Sequence, residues 1–150
     1  MVGKREIETI VGLIGEEKVK SYDKMQRRMR DIGLLVINDI INFHITCGKV
    51  LEIGPGPGYL GLEWLKSTEN TSLYWLEISN EMKDLALKNS KLYGFEDRVQ
   101  CFLSDATKEF PFKESFFDGV FTNASLHEWI NPVSVFNEIY RVLKNGGKFF

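Results

Sequence analysis

Between Glu52 and Gly58 the chain reads Glu-Ile-Gly-Pro-Gly-Pro-Gly, with glycine at every second position. Such spacing lets a backbone turn sharply and lets a ligand approach without meeting a Cβ. A helix follows, and the free N–H groups of its first turn can hold a carboxylate or a phosphate. Further on, Asn123-Ala-Ser-Leu-His127-Glu-Trp129 follows a short apolar run. His127 is the candidate general base there, because imidazole exchanges a proton near neutral pH. The two cysteines, Cys47 and Cys101, have no partners at metal-ligand spacing, so no metal site is expected.

These groups need a scaffold, and the hydrophobic pattern supplies one. Lys49–Gly54 is a short apolar run that ends on glycine, as a buried strand does. Tyr59–Ser67 reads as a helix and Ser72–Glu77 as a second strand. Ser79 caps a helix over Asn80–Tyr93, which Gly94 ends. Val99–Leu103 and Phe117–Thr122 are the third and fourth strands. Asn131-Pro132 starts another helix, expected to run to Asn145-Gly146-Gly147, with Lys148 opening a fifth strand. Strands alternating with helices imply a parallel α/β sheet with right-handed crossovers. In such a sheet the ligand sits at the carboxyl ends of the strands. Glu52–Gly58, Glu77, Ser104-Asp105 and Asn123–Trp129 are therefore the segments that would meet it.

The first 45 residues read as helical. Ile7, Ile10, Val11 and Ile14 share one face, and a second helix is expected from Ser21, with Met25, Met29, Ile32, Val36 and Ile40 on one side, running toward Phe43. The chain divides into this helical segment, 1–47, as a lid or sheet cover, and a core, 48–150. Its 150 residues suit one domain, and its net charge of −2 argues against a nucleic-acid backbone as the main partner. The arginines at 27, 28 and 30 read as a solvated helix face. No run of 18 apolar residues occurs and no signal peptide is visible, so a cytoplasmic protein with reduced thiols and no membrane contact is expected.

Gly56-x-Gly58-x-x-Gly61 matches the dinucleotide fingerprint in form, with Glu77 as a ribose ligand downstream, which would suit a nicotinamide-dependent oxidoreductase. The wider pattern resembles another family. Val50-Leu-Glu52-Ile-Gly54-Pro-Gly56-Pro-Gly58 is similar to the loop of class I S-adenosylmethionine-dependent methyltransferases. Trp75-Leu-Glu77-Ile78-Ser79, Leu103-Ser-Asp105-Ala106, Phe117–Trp129 and Arg141–Lys148 match it in order over residues 49–150. The nearest branch looks like the small-molecule enzymes of quinone biosynthesis, whose loops resemble Ser125-Leu-His127-x-Trp129 and whose early Tyr-Asp pair resembles Tyr22-Asp23.

The resemblance implies a Rossmann-like doubly wound sheet, S-adenosylmethionine as cofactor and in-line methyl transfer to a small-molecule acceptor. A binding module without catalysis is the alternative. It implies that Gly54, Gly56 and Gly58 approach the methionine and ribose. Glu52 would orient the loop and accept from the ammonium, Glu77 would take the ribose hydroxyls, and Ile78 would pack on the adenine. Asp105 and the Ala106 N–H would read the adenine edge, Asn123 would lie where the methyl group points, and Tyr22 would cover the cofactor. The family's sheet has seven strands and this chain stops as its fifth opens. A shortened chain is the first expectation; a homo-oligomer that covers the open sheet edge is the other.

Overall fold

The computed structural model describes residues 13–150. The expected helix over Ile7–Ile14 therefore lies almost wholly outside the described residues. Five strands form one parallel sheet: β1 (Gly48–Ile53), β2 (Thr71–Glu77), β3 (Val99–Leu103), β4 (Phe117–Thr122) and β5 (Leu143–Phe149). Their spatial order is β3-β2-β1-β4-β5. The order reverses between β1 and β4, and the crevice at that switch point is where a doubly wound sheet binds ligands.

The central strands are apolar on both sides because both faces are covered. Val50, Leu73 and Trp75 pack under α2 (Ile37–Asn42), α3 (Tyr59–Lys66) and α4 (Asn80–Tyr93), together with Leu62, Trp64 and Ala86. Their neighbours Leu51, Tyr74 and Leu76 point the other way, toward α5 (Pro132–Val142) and its Val135, Ile139 and Val142. This alternation is the period-two geometry of a strand.

Local chemistry sets the helix ends. Ser79 caps α4 by accepting from the Met82 N–H at 3.2 Å, and Gly94 ends it at φ 72°. Asn131 caps α5 through the Ser134 N–H at 3.2 Å, with Pro132 in the first turn.

Three expectations are corrected. The first described helix, α1, covers Glu16–Asp31 and contains Ser21 rather than starting there. Glu16 and Glu17 favour its first turn, where the helix dipole is positive. It does not run on to Phe43: the backbone turns at Gly33 (φ 73°), and Val36 and Ile40 belong to α2 and its N-cap. At the far end, α5 stops at Val142 instead of reaching the glycine pair. The Ser115 and Phe116 N–H groups donate to the Arg141 and Val142 carbonyls at 2.9 and 2.8 Å, drawing the chain into the sheet early. Leu143 then pairs with Phe117 and Lys148 with Gly119, so residues 144–147 are absorbed as a bulge.

No residue of α1 is fully buried. The helix is fastened by side chains: the Tyr59 hydroxyl donates to Asp23 at 2.8 Å, and Arg30 lies over the Tyr59 ring (4.8 Å) while donating to the Tyr93 hydroxyl at 3.0 Å.

Candidate cofactor site

The ends of β1 and β4 are stitched together. The Thr122 hydroxyl donates to the Ile53 carbonyl at 2.9 Å and lies 2.5 Å from the Ser125 hydroxyl. Ser125 sits directly over Gly54, where a Cβ would come within 2.8 Å of its own Cβ. With φ at +68° besides, only glycine fits position 54. Ala124, next to Ser125, holds φ 57°, a left-handed conformation rare for a residue with a side chain.

The glycine loop is also tied to β2. The Gly54 N–H donates to the Leu76 carbonyl at 2.9 Å, and the Gly56 N–H donates to Glu77 Oε2 at 3.1 Å. Glu77 ends β2 and is almost fully buried. Its Oε1 accepts from the Ile78 and Ser79 N–H groups at 3.0 and 2.9 Å. A carboxylate has about four acceptor positions, so one on Oε2 stays open. Burial raises the Glu77 pKa, while those three backbone donors pull it down.

One strand over, Asp105 stands two residues beyond Leu103, the partner of Glu77 in the sheet. Asp105 Oδ1 accepts from the Thr107 N–H and hydroxyl, both at 2.8 Å. Among the described residues its Oδ2 has no partner.

These elements enclose a cleft of about 810 Å³, counting its open mouth. Of the residues singled out from sequence, Tyr22, Gly54, Gly56, Glu77, Ile78, Asp105 and Ala106 line it. Tyr22 reaches it from α1, and burial raises the pKa of its hydroxyl.

Four other candidates stand elsewhere. The Glu52 carboxylate is buried under the loop, with Oε2 accepting from the Trp75 indole N–H at 2.6 Å. Gly58 presses against the same indole, where a Cβ would lie 2.8 Å from the ring. Asn123 is exposed at the head of the loop after β4. His127 is half-exposed, with Nε2 4.0 Å from Glu128 Oε1.

Ser104 and Glu128, from two of the strand-end segments read from sequence, also line the cleft, together with residues not singled out there: Met82 from α4, Thr107 beside Asp105, Leu13 and Ile130. Met82 had a signal, one turn beyond the Ser79 cap on the side facing the loop. Leu13 had none. Among the described residues no cluster of His, Cys, Asp or Glu could hold a metal ion, and no helix is long and apolar enough to cross a membrane.

Fold and cleft define a Rossmann-like cofactor-binding domain, and comparison with known proteins supplies the class. Residues 51–150 match the methyltransferase domain family. The uncharacterised methyltransferase YdaC of Bacillus subtilis is 32% identical over 105 residues, covering 69% of this chain and 55% of YdaC. The ubiquinone/menaquinone biosynthesis C-methyltransferase UbiE of Chromobacterium violaceum is 34% identical over 103 residues, covering 68% of this chain and 41% of UbiE. A Methanococcus maripaludis structure, assigned as an S-adenosyl-L-methionine-dependent methyltransferase, superposes with a TM-score of 0.80 at 30% identity, over 92% of this chain and 66% of that one. This chain belongs to the S-adenosylmethionine-dependent methyltransferase family, and S-adenosylmethionine is its cofactor. It spans about half the length of these two curated relatives.

Proposed function

We propose that the chain carries the cofactor site of an enzyme that moves a methyl group from S-adenosylmethionine to a small-molecule acceptor by in-line displacement. The observation that carries this reading is the pair of acids at neighbouring strand ends. Glu77 keeps one acceptor position open on Oε2 and Asp105 keeps its Oδ2 uncommitted, with Ile78, Met82 and Ala106 beside them as apolar walls. That donor set fits an adenosine. Glu77 Oε2 accepts a ribose hydroxyl at its open position, and a second one where the Gly56 N–H yields. Asp105 Oδ2 accepts from the adenine amino group, the Ala106 N–H meets a ring nitrogen, and Ile78 covers the ring.

Gly54 and Gly56 leave the remaining space for the methionine portion, which Tyr22 closes from α1. Glu52 contributes from below, as the support of the loop. In this division, residues 48–150 hold the cofactor, and the described part of the helical segment before them covers it through Leu13 and Tyr22.

When bound, S-adenosylmethionine supplies a methyl group on a sulfonium that is already a good leaving group. The protein's task is then to align donor and acceptor and to exclude water. Asn123 and His127 sit on the loop after β4, Asn123 to position the reacting centre and His127 to take a proton from an acceptor that carries one. The name of UbiE, a ubiquinone/menaquinone biosynthesis C-methyltransferase, supports a small-molecule acceptor.

Incubating the chain with methyl-labelled S-adenosylmethionine and a cell ultrafiltrate tests the reading. Label is expected in a low-molecular-mass product. Label confined to added protein or nucleic acid contradicts the small-molecule acceptor. No transfer to any fraction contradicts catalysis and favours a binding module.

A further inference from the structure

One stripe of α4 faces the glycine loop. Met82, Ala86 and Asn89 fall at i, i+4 and i+7, on a single side of the helix. Met82 lines the cleft. Ala86 is fully buried, and a Cβ on Gly58 would be 3.4 Å from its methyl group. Asn89, 6% exposed, donates from Nδ2 to the Pro57 carbonyl at 2.8 Å.

Proline gives the loop two positions with no N–H, so its attachments are few. The Gly54 N–H bonds to Leu76, the Gly56 N–H bonds to Glu77, and the Gly58 N–H turns back to Pro55. The Pro57 carbonyl is the point at which α4 takes hold. From the other side, the Trp75 ring supports Gly58.

We propose that Asn89 is a positioning residue for cofactor binding: by fixing the Pro57 carbonyl from α4, it sets the glycine loop at the height where Gly56 meets Glu77. This rests on the reading of the cleft as the S-adenosylmethionine site. Asn89 touches no cofactor atom in this account; it acts through the loop. Without its amide, Pro57 loses its anchor, and the Gly56 N–H loses its fixed relation to the carboxylate that takes the ribose.

The test compares affinity with stability. S-adenosylhomocysteine is titrated calorimetrically into the wild type, Asn89→Ala, Asn89→Asp (which keeps the shape but removes the donor) and Val135→Ala. Val135 lies in the core on the opposite face of the sheet, so its truncation lowers Tm without touching the loop. Both Asn89 variants are expected to bind five-fold or more weakly. Val135→Ala, at an equal or larger loss of Tm, is expected to stay within two-fold of wild type. Wild-type affinity in Asn89→Asp overturns the proposal, as does an equal weakening in Val135→Ala, which would make the effect one of stability alone. A wild type that binds no S-adenosylhomocysteine overturns the cofactor reading itself, and Asn89's role with it.

Discussion

The carboxylate of Glu52 and the indole nitrogen of Trp75 lie 2.6 Å apart, sealed beneath the glycine loop. Burial pushes the Glu52 pKa up to about 8, although the Trp75 hydrogen bond works against it and Glu77 adds repulsion. The unfolded chain releases this proton near the ordinary value of 4.5. Between those limits the folded state holds a proton that the unfolded state has lost, so the contribution is complete below about 4.5 and lost as pH rises through about 8. Stability should fall over that window by on the order of a few kcal/mol. Glu52→Gln keeps an acceptor for Trp75 and removes the titration. Its urea midpoint should vary much less between pH 5 and pH 8 than that of the wild type. The residual slope comes from Glu77, whose pKa is also raised. An unchanged slope in the variant contradicts this account.

Gly61 is the point where α3 crosses this pair. A Cβ there would lie 2.3 Å from Glu52 Oε2 and 2.5 Å from the Leu73 side chain. Helix propensity alone favours alanine by about 1 kcal/mol. Gly61→Ala is nevertheless expected to destabilise by about 1–3 kcal/mol, the usual cost of overpacking. Thermal unfolding checks it, and a raised Tm would show that the helix can lift off without cost.

Asp105→Asn preserves an oxygen for the Thr107 N–H and replaces the open oxygen with an amide donor. Its Tm should match the wild type while S-adenosylhomocysteine binds about tenfold more weakly, the scale of one charged hydrogen bond at about 1.5 kcal/mol. Equal affinity in calorimetry would remove Asp105 from the adenine site.

The hold on α1 can be probed at Tyr59. Tyr59→Phe deletes the bond to Asp23 and should cost about 1 kcal/mol. Because α1 buries no residue fully, the loss should appear as faster hydrogen exchange in Glu16–Asp31, with α3 and α4 unchanged. Faster exchange throughout the chain would mean that α1 and the sheet open as one unit.

The strands and the caps were legible because each carries a local cause. Val50–Ile53 has no polar face to give to water apart from Glu52, and Ser79 and Asn131 announce their helices within four residues. The break at Gly33 was hidden, since the apolar spacing continues from Met29 to Val36 straight across it. The end of α5 depends on amides from residues 115 and 116, which no nearby sequence reveals. At the proposed site, Glu77 was legible as the acid that ends a strand and Asp105 as the acid that follows one. The destination of Glu52 was not, because an acid in an apolar strand reads alike whether it faces a ligand or an indole on the next strand. Asn89 was invisible for the same reason: its partner lies 32 residues away.

Calorimetric titration of the chain with S-adenosylhomocysteine, with NAD in parallel, tests the central claim most directly. Saturable one-site binding of S-adenosylhomocysteine and none of NAD is predicted. Binding of NAD alone, or of neither, would contradict the assignment of the cleft between Gly54, Glu77 and Asp105 as an S-adenosylmethionine site.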